Sequence, residues 1–190
     1  MSILETGRLF LHSFTESDVD ALFALLRDHE VNRFLPWFPL QTQDETRQFL
    51  QAHFMPDNSM QDGCQYAVCL KTDKIPIGYI SVSGDDTHDF GYAVGKAFWN
   101  KGIITEAGRA VIERLRQDGV PYITATHDAK NPASGAVMRK LGMTYQYTYE
   151  EFWQPKKISV NFRHLNLDGK CDRKFLKYWN LYPNHFIEKL

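Results

Sequence analysis

The 190-residue chain has no apolar run approaching the roughly 20 residues that a membrane-spanning helix requires, although 43% of it is hydrophobic. Its first residues, MSILETGRLFLHSF, carry neither a basic leader nor a long apolar core, so no export signal is expected and the expected compartment is the cytoplasm. An excess of either charge is also missing: 22 Lys and Arg stand against 23 Asp and Glu, a net charge of -1, without a block of one sign. Nucleic acid and a membrane surface are therefore not expected as principal partners. Cysteine is scarce. Cys64, Cys69 and Cys171 are an odd number without paired spacing, so reduced thiols are expected, with no support for a metal site or a catalytic thiol. Repeats and low-complexity tracts are absent, and so are the Gly-x-Gly-x-x-Gly dinucleotide fingerprint and the Gly-Lys-Ser/Thr phosphate loop.

What is present is one organising stretch, FGYAVGKAFWNKGIITEAGRAVIERLRQD, residues 90–118. Phe90, Tyr92 and Val94 fall on one face of a strand, with Gly91, Ala93 and Gly95 opposite, a period-2 pattern with one face nearly bare of side chains. From Ile104 the period turns helical, with Ile104, Ala107, Val111 and Leu115 inward and Glu106, Arg109, Glu113 and Arg116 outward. Gly102 stands at the helix mouth, where the unpaired amides of a first turn suit a phosphate. The same glycine also serves a plain strand-to-helix turn, and the local pattern does not separate the two.

Around it the chain reads as a strand at 8–11, a helix over 15–29 with buried Val19, Leu22, Phe23 and Leu26, and an irregular aromatic segment over 31–40 broken by Pro36 and Pro39. That segment is either a hydrophobic plug or a wall of a substrate cleft. A helix over 43–54, a polar loop over 55–63, and hairpin strands at 66–70 and 77–82 precede the central stretch. After it come a strand at 121–126, a helix over 132–141 with Asn131 as N-cap and Pro132 first, and strands at 144–153 and 158–167. Gly142 ends that helix and Lys140 complements its negative end.

Two segments resemble the GCN5-related N-acetyltransferases, in particular the branch that acetylates ribosomal-protein N-termini. WNKGIITEA (Trp99–Ala107) is similar to the family's coenzyme A pyrophosphate loop, with Ile104 where a small residue is usual. DAKNPASGAVMRKLGM (Asp128–Met143) is similar to the family's Asn-x-x-Ser…Lys-Leu-Gly-Phe segment. With TGRLFLHSF near the start and FLPW at Phe34–Trp37, the resemblance covers roughly residues 5–165. It implies an α/β (α+β) acyl-CoA N-acyltransferase fold: a mixed, strongly twisted central sheet of about seven strands, helices on both faces, and two neighbouring strands splayed around the pantetheine arm. One catalytic domain is expected over 1–167. The extension over 168–190 carries Phe175, Trp179, Tyr182 and Phe186 at helical spacing and either covers its own sheet or docks on a homodimer partner.

The resemblance also implies roles. Acetyl-coenzyme A is the cosubstrate, without a metal. Asn100, Lys101, Gly102, Ile103, Ile104 and Thr105 hold its pyrophosphate, Tyr92 and Val94 pair with pantetheine, and Asn131 and Ser134 contact the same arm. Phe34, Trp37 and Phe38 bind the acceptor. Ser134 is the general acid, with Tyr145 or Tyr147 as competitors, and Glu151 the general base, on the strand face it shares with Tyr147, Tyr149 and Trp153. Asn131 and Ser134 read equally well as caps of their own helix, and Glu151 as a surface ion-pair partner. The acceptor is a protein N-terminal α-amine or a small amine; a non-catalytic acyl-CoA-binding module is the alternative from another class.

Overall fold

A computed structural model describes residues 3–55, 63–153, 156–169 and 173–188. Most of the loop expected over 55–63, together with Gln154, Pro155 and Cys171, lies outside the described residues. The chain forms two compact units, Met1–Ile112 and Glu113–Leu190. Among the described residues no helix is long and apolar enough to cross a membrane.

The first unit is built on five antiparallel strands in sequence order: β1 (Leu4–Glu5), β2 (Leu9–His12), β3 (Cys64–Leu70), β4 (Pro76–Val82) and β5 (Phe90–Val94). Alternation in β2 sends Leu9 and Leu11 inward, each 0% exposed, while Phe10 and His12 are half-buried. Helices α1 (Val19–Leu26), α2 (His29–Asn32) and α3 (Gln43–His53) contribute Leu22, Leu26 and Leu50 to a core that includes Phe14, Phe54 and Tyr79. The single helix expected over 15–29 is divided. A 3-10 turn at Glu16–Asp18 opens it, closed by the reciprocal Thr15–Asp18 capping box. After α1, the Asp28 carboxylate accepts from the amides of Glu30 and Val31 and starts a new helix. The buried Asn32 amide then donates to the carbonyls of Leu26 and Asp28, at 2.9 and 2.7 Å, satisfying helix-end acceptors that would otherwise be orphaned. The longest helix, α4 (Ile103–Gln117), starts in this unit and ends in the second.

The second unit holds four antiparallel strands in the order β6–β8–β7–β9: β6 (Tyr122–Asp128), β7 (Thr144–Trp153), β8 (Lys156–Asn166) and β9 (His185–Phe186). Helices α5 (Pro132–Lys140) and α6 (Lys177–Leu181) complete it. Strands and helices follow one another as the α/β reading expected, and the two-residue strands β1 and β9 at the outer edges add to the count of about seven. β5 and β6 belong to different sheets.

Cross-strand partners define the two faces of the β6–β9 sheet. On one lie Phe162, Val160, Tyr147, Tyr149 and Glu151, opposed as Tyr147↔Phe162, Tyr149↔Val160 and Glu151↔Ile158. On the other lie His127, Asn161 and Thr148 in one row and Ala125, Arg163 and Tyr145 in the next. A bulge between Tyr145 and Tyr147 sends these two tyrosines to opposite faces, although two residues apart they would ordinarily share one. The C-terminal segment covers the first face. Phe175, Tyr178, Trp179 and Tyr182 pack on Tyr147, Tyr149 and Phe162, with Tyr149 stacked on Tyr182 at 4.7 Å between ring centroids. Among its described residues five are α-helical; Phe186 lies on β9 and is 50% exposed.

Candidate functional site

Between β5 and α4 the chain makes a 3-10 turn at Lys96–Phe98 and then a tight corner in which Asn100 and Gly102 have φ of 59° and 73°. That left-handed conformation costs a side-chain-bearing residue about 1–2 kcal/mol, which accounts for glycine at position 102. The first bond within α4 runs from the Glu106 amide to the Gly102 carbonyl at 3.0 Å, so the amides of Gly102, Ile103, Ile104 and Thr105 have no acceptor inside the helix. Ile103 and Ile104 turn their side chains into the core, 3% and 5% exposed, leaving their backbone at the corner. Lys101 is exposed, its Nζ 5.8 Å from the Phe98 ring centre. The corner therefore presents several amide dipoles and one cation, an arrangement suited to phosphate oxygens.

The corner is braced from the bend that precedes β2, which the sequence pattern did not reveal. The Arg8 guanidinium donates twice to the Lys101 carbonyl, both at 3.2 Å, and once through Nε to Glu106 Oε2 at 2.7 Å. The Arg8 amide and the Thr6 hydroxyl donate to Glu106 Oε1 at 3.1 and 2.5 Å. Partial burial pushes the Glu106 carboxyl upward, but the bonds from Thr6 and Arg8 outweigh it and hold it below its ordinary value. Glu106, expected to look outward into water, is a partnered residue. Arg8 and Glu106 stand 98 positions apart, and no local spacing links them.

Strand β5 contributes its edge. Gly95 donates to Ile77 at 2.8 Å and Ser83 to Asp89 at 3.0 Å, so the bonded positions facing β4 are Gly95, Ala93, Gly91 and Asp89. The intervening Phe90, Tyr92 and Val94 direct their N–H and C=O groups away from β4, on the outer side of the last strand in that sheet. Trp99 Nε1 donates to the Val94 carbonyl at 2.8 Å and ties the corner to the strand end. An extended ligand running along this edge meets the backbone of Tyr92 and Val94.

The aromatic segment divides by role. Trp37 is packed against the core, edge-on to Phe49 at 4.9 Å, with its Nε1 donating to the buried Asn32. Phe34 is half-buried, its ring 5.1 Å from the Arg33 guanidinium, whereas Phe38 is 62% exposed. Phe34 and Phe38 can meet a ligand. Trp37, half-buried like Phe34, holds the segment in place.

In the second unit Asn131 caps α5, accepting from the Ser134 amide at 3.3 Å, and both residues are half-buried in the first turn. Helix α5 lies on the His127 face of the sheet: a Cβ added at Gly135 would stand 2.7 Å from His127 Nε2, a close approach that only glycine permits. Glu151 projects from the opposite face, where its carboxylate accepts from Tyr182 at 2.8 Å and Tyr149 at 3.4 Å. Ser134 and Glu151, expected as acid and base, are not brought together on one face of this sheet. Strand alternation places Glu151 with Tyr147 and Tyr149 as expected, but that face is covered by the C-terminal segment, and Glu151 anchors it. Tyr147 is removed as an alternative acid for the same reason: it is buried under the segment, its hydroxyl bonded to the Phe175 carbonyl and its pKa pushed up to about 12 by burial. Tyr145, on the α5 face, bonds the Thr148 hydroxyl at 2.9 Å. Among the described residues no group of three or more His, Cys, Asp or Glu could hold a metal ion.

Residues 8–144 match the family described as "Acetyltransferase (GNAT) domain". The chain is 26% identical over 144 residues to the uncharacterized N-acetyltransferase YnaD of Bacillus subtilis (strain 168), an alignment covering 74% of this chain and 81% of that protein. Among solved structures, the ribosomal L7/L12 α-N-protein acetyltransferase RimL in complex with coenzyme A superposes with a TM-score of 0.78 and 21% identity, covering 89% of this chain and 100% of that one. The spermidine N-acetyltransferase from Vibrio cholerae, in complex with coenzyme A and spermine, superposes at 0.72 with 14% identity, covering 85% and 97%. At these identities the superpositions speak to the fold.

Proposed function

From the premise that this chain belongs to the acetyltransferase (GNAT) family, we propose that it transfers an acetyl group from acetyl-coenzyme A to a primary amine, a protein N-terminal α-amine, by direct attack in a ternary complex. The observation that carries the donor half is the corner before α4: a left-handed Gly102 followed by helix amides without internal acceptors, at the end of the strand whose Tyr92 and Val94 turn their backbone groups away from β4. The pyrophosphate is read by Asn100, Lys101, Gly102, Ile103, Ile104 and Thr105. Pantetheine lies along β5, and the Val94 amide faces the thioester oxygen as it becomes negative.

The amine nitrogen attacks the thioester carbon, the C–S bond breaks, the thiolate takes up a proton, and the proton shed by the nitrogen passes through water to restore the donor. Ser134, in the first turn of α5, supplies the thiolate's proton, and Asn131 orients the turn. The acceptor must be neutral to attack. An α-amine with pKa ~7.7–8.0 is roughly a tenth neutral at pH 7, whereas a lysine amine near ~10.4 is less than a thousandth neutral. The name of RimL, which acts on a protein N-terminus, supports this acceptor; that of the spermidine enzyme supports a small polyamine as the second reading. The exposed Phe38 favours a peptide side chain over a polycation.

The test is release of free thiol from acetyl-coenzyme A with a panel of N-terminal peptides, amino acids and polyamines. Peptides are expected to give the highest kcat/KM. Ser134→Ala is expected to slow transfer at saturating amine about 10²-fold, the usual range for a positioned proton donor. A preference for spermidine over every peptide would move the acceptor to the second reading, and coenzyme A binding without thiol release for any amine would leave a binding module.

A further inference from the structure

The Arg8–Glu106 brace has a geometry that reaches beyond a surface ion pair. Arg8 Nη1 and Nη2 both bond the carbonyl of Lys101, the oxygen of the peptide unit whose N–H belongs to Gly102. In a trans peptide those two groups point in opposite directions. Holding the Lys101 oxygen on the β2 side therefore holds the Gly102 N–H on the other side, at the head of the run of amides that precedes the first bond of α4. The third and fourth polar contacts of the guanidinium, Nε at 2.7 Å and Nη2 at 2.6 Å, go to Glu106 Oε2. They do a second job. Glu106 sits in the first turn of α4, where a bare carboxylate would compete with a phosphate for the helix's positive end. Arg8 neutralises it, and the Thr6 hydroxyl and the Arg8 amide occupy its other oxygen.

We propose that Arg8 is a positioning residue for donor binding: through Lys101 and Glu106 it sets the Gly102 amide and removes the competing charge, so that the corner accepts a pyrophosphate. This rests on the donor site proposed above. Arg8 itself touches no ligand in this account; its effect is confined to the phosphate-bearing half of the donor.

That confinement supplies the test. Coenzyme A affinity is measured by calorimetry, and enzyme-dependent thiol release is compared for acetyl-coenzyme A and S-acetylpantetheine, which lacks the pyrophosphate. Arg8→Gln is expected to weaken coenzyme A binding about tenfold, the order of one charge-assisted contact. Its kcat/KM should fall likewise with acetyl-coenzyme A and change less than about twofold with S-acetylpantetheine. Arg8→Lys, which keeps the charge but cannot fork between Lys101 and Glu106, should fall between wild type and Arg8→Gln. If Arg8→Gln does not fold, Arg8→Lys carries the test by the same comparison, with a smaller loss of coenzyme A affinity and of kcat/KM that is confined to acetyl-coenzyme A. Equal losses with both donors, or unchanged coenzyme A affinity, would overturn the positioning role alone. A wild-type protein that binds no coenzyme A would overturn the donor site together with it.

Discussion

Glu106 accepts from the Thr6 hydroxyl, the Arg8 amide and the Arg8 guanidinium at once, so its protonation loosens the corner before α4. Its carboxyl is held below the ordinary range: burial opposes this, but the bonds from Thr6 and Arg8 prevail. A depressed carboxyl contributes stability that is fully present above its unfolded pKa, about 4.3, and is lost as pH falls through the lower folded value. Wild type is therefore expected to exceed Glu106→Gln in urea midpoint by a constant margin above about pH 6, and the margin should close below about pH 4. A margin that stays constant down to pH 3 would show that the ionised carboxylate contributes nothing there. At the same scale, Tyr182→Phe removes the 2.8 Å bond to Glu151. Its cost is expected near 1 kcal/mol by denaturant titration, and the effect should vanish in a Glu151→Ala background, which removes the acceptor, if that bond is the cause.

At the scale of elements, Gly102→Ala tests the corner and truncation tests the C-terminal segment. A Cβ at Gly102 would meet only Arg8 Nη2, at an ordinary 3.8 Å, so its penalty is the left-handed backbone itself, ~1–2 kcal/mol. Relaxing that backbone turns the amides aside, and coenzyme A affinity should fall about tenfold. Ending the chain after Asp168 uncovers Tyr147, Tyr149 and Phe162, which are 3%, 1% and 0% exposed. At ~1.5–3 kcal/mol for each large side chain, the loss is expected to exceed 3 kcal/mol, read as a lowered denaturant midpoint or as aggregation. An unchanged midpoint would contradict the packing described. Elements with a sustained period were legible in the sequence: β5, α4 and α5 with its Asn131 cap lie within a residue or two of expectation. What was not legible depended on single contacts. The break between α1 and α2 is made by the side chains of Asp28 and Asn32, and β1 and β9 are too short to carry alternation. The bulge before Tyr147 reverses Tyr145, and the brace on Lys101 comes from Arg8, 93 residues away. The cofactor corner could thus be read from a contiguous motif, whereas the surroundings of Trp37 and Glu151 are set by long-range packing.

At the scale of the whole molecule, the near-neutral chain carries a family domain over residues 8–144 and a C-terminal aromatic segment that lies beyond that match. The reaction proposed for it needs a bound donor and a neutral amine, with no acetylated form of the protein along the way. Rate should therefore follow the acceptor's own ionisation: kcat/KM for an N-terminal peptide is expected to rise about tenfold per pH unit below pH 7 and level off near pH 8. The most direct measurement is a single turnover with protein in excess over acetyl-coenzyme A, quenched at intervals and read by intact mass of both peptide and protein. The account predicts that one acetyl group appears on the peptide's α-amine at the rate free thiol is released, while the protein's mass never changes. An acetylated protein that forms and decays ahead of the acetylated peptide, or acetyl-coenzyme A that stays bound and intact, would contradict it.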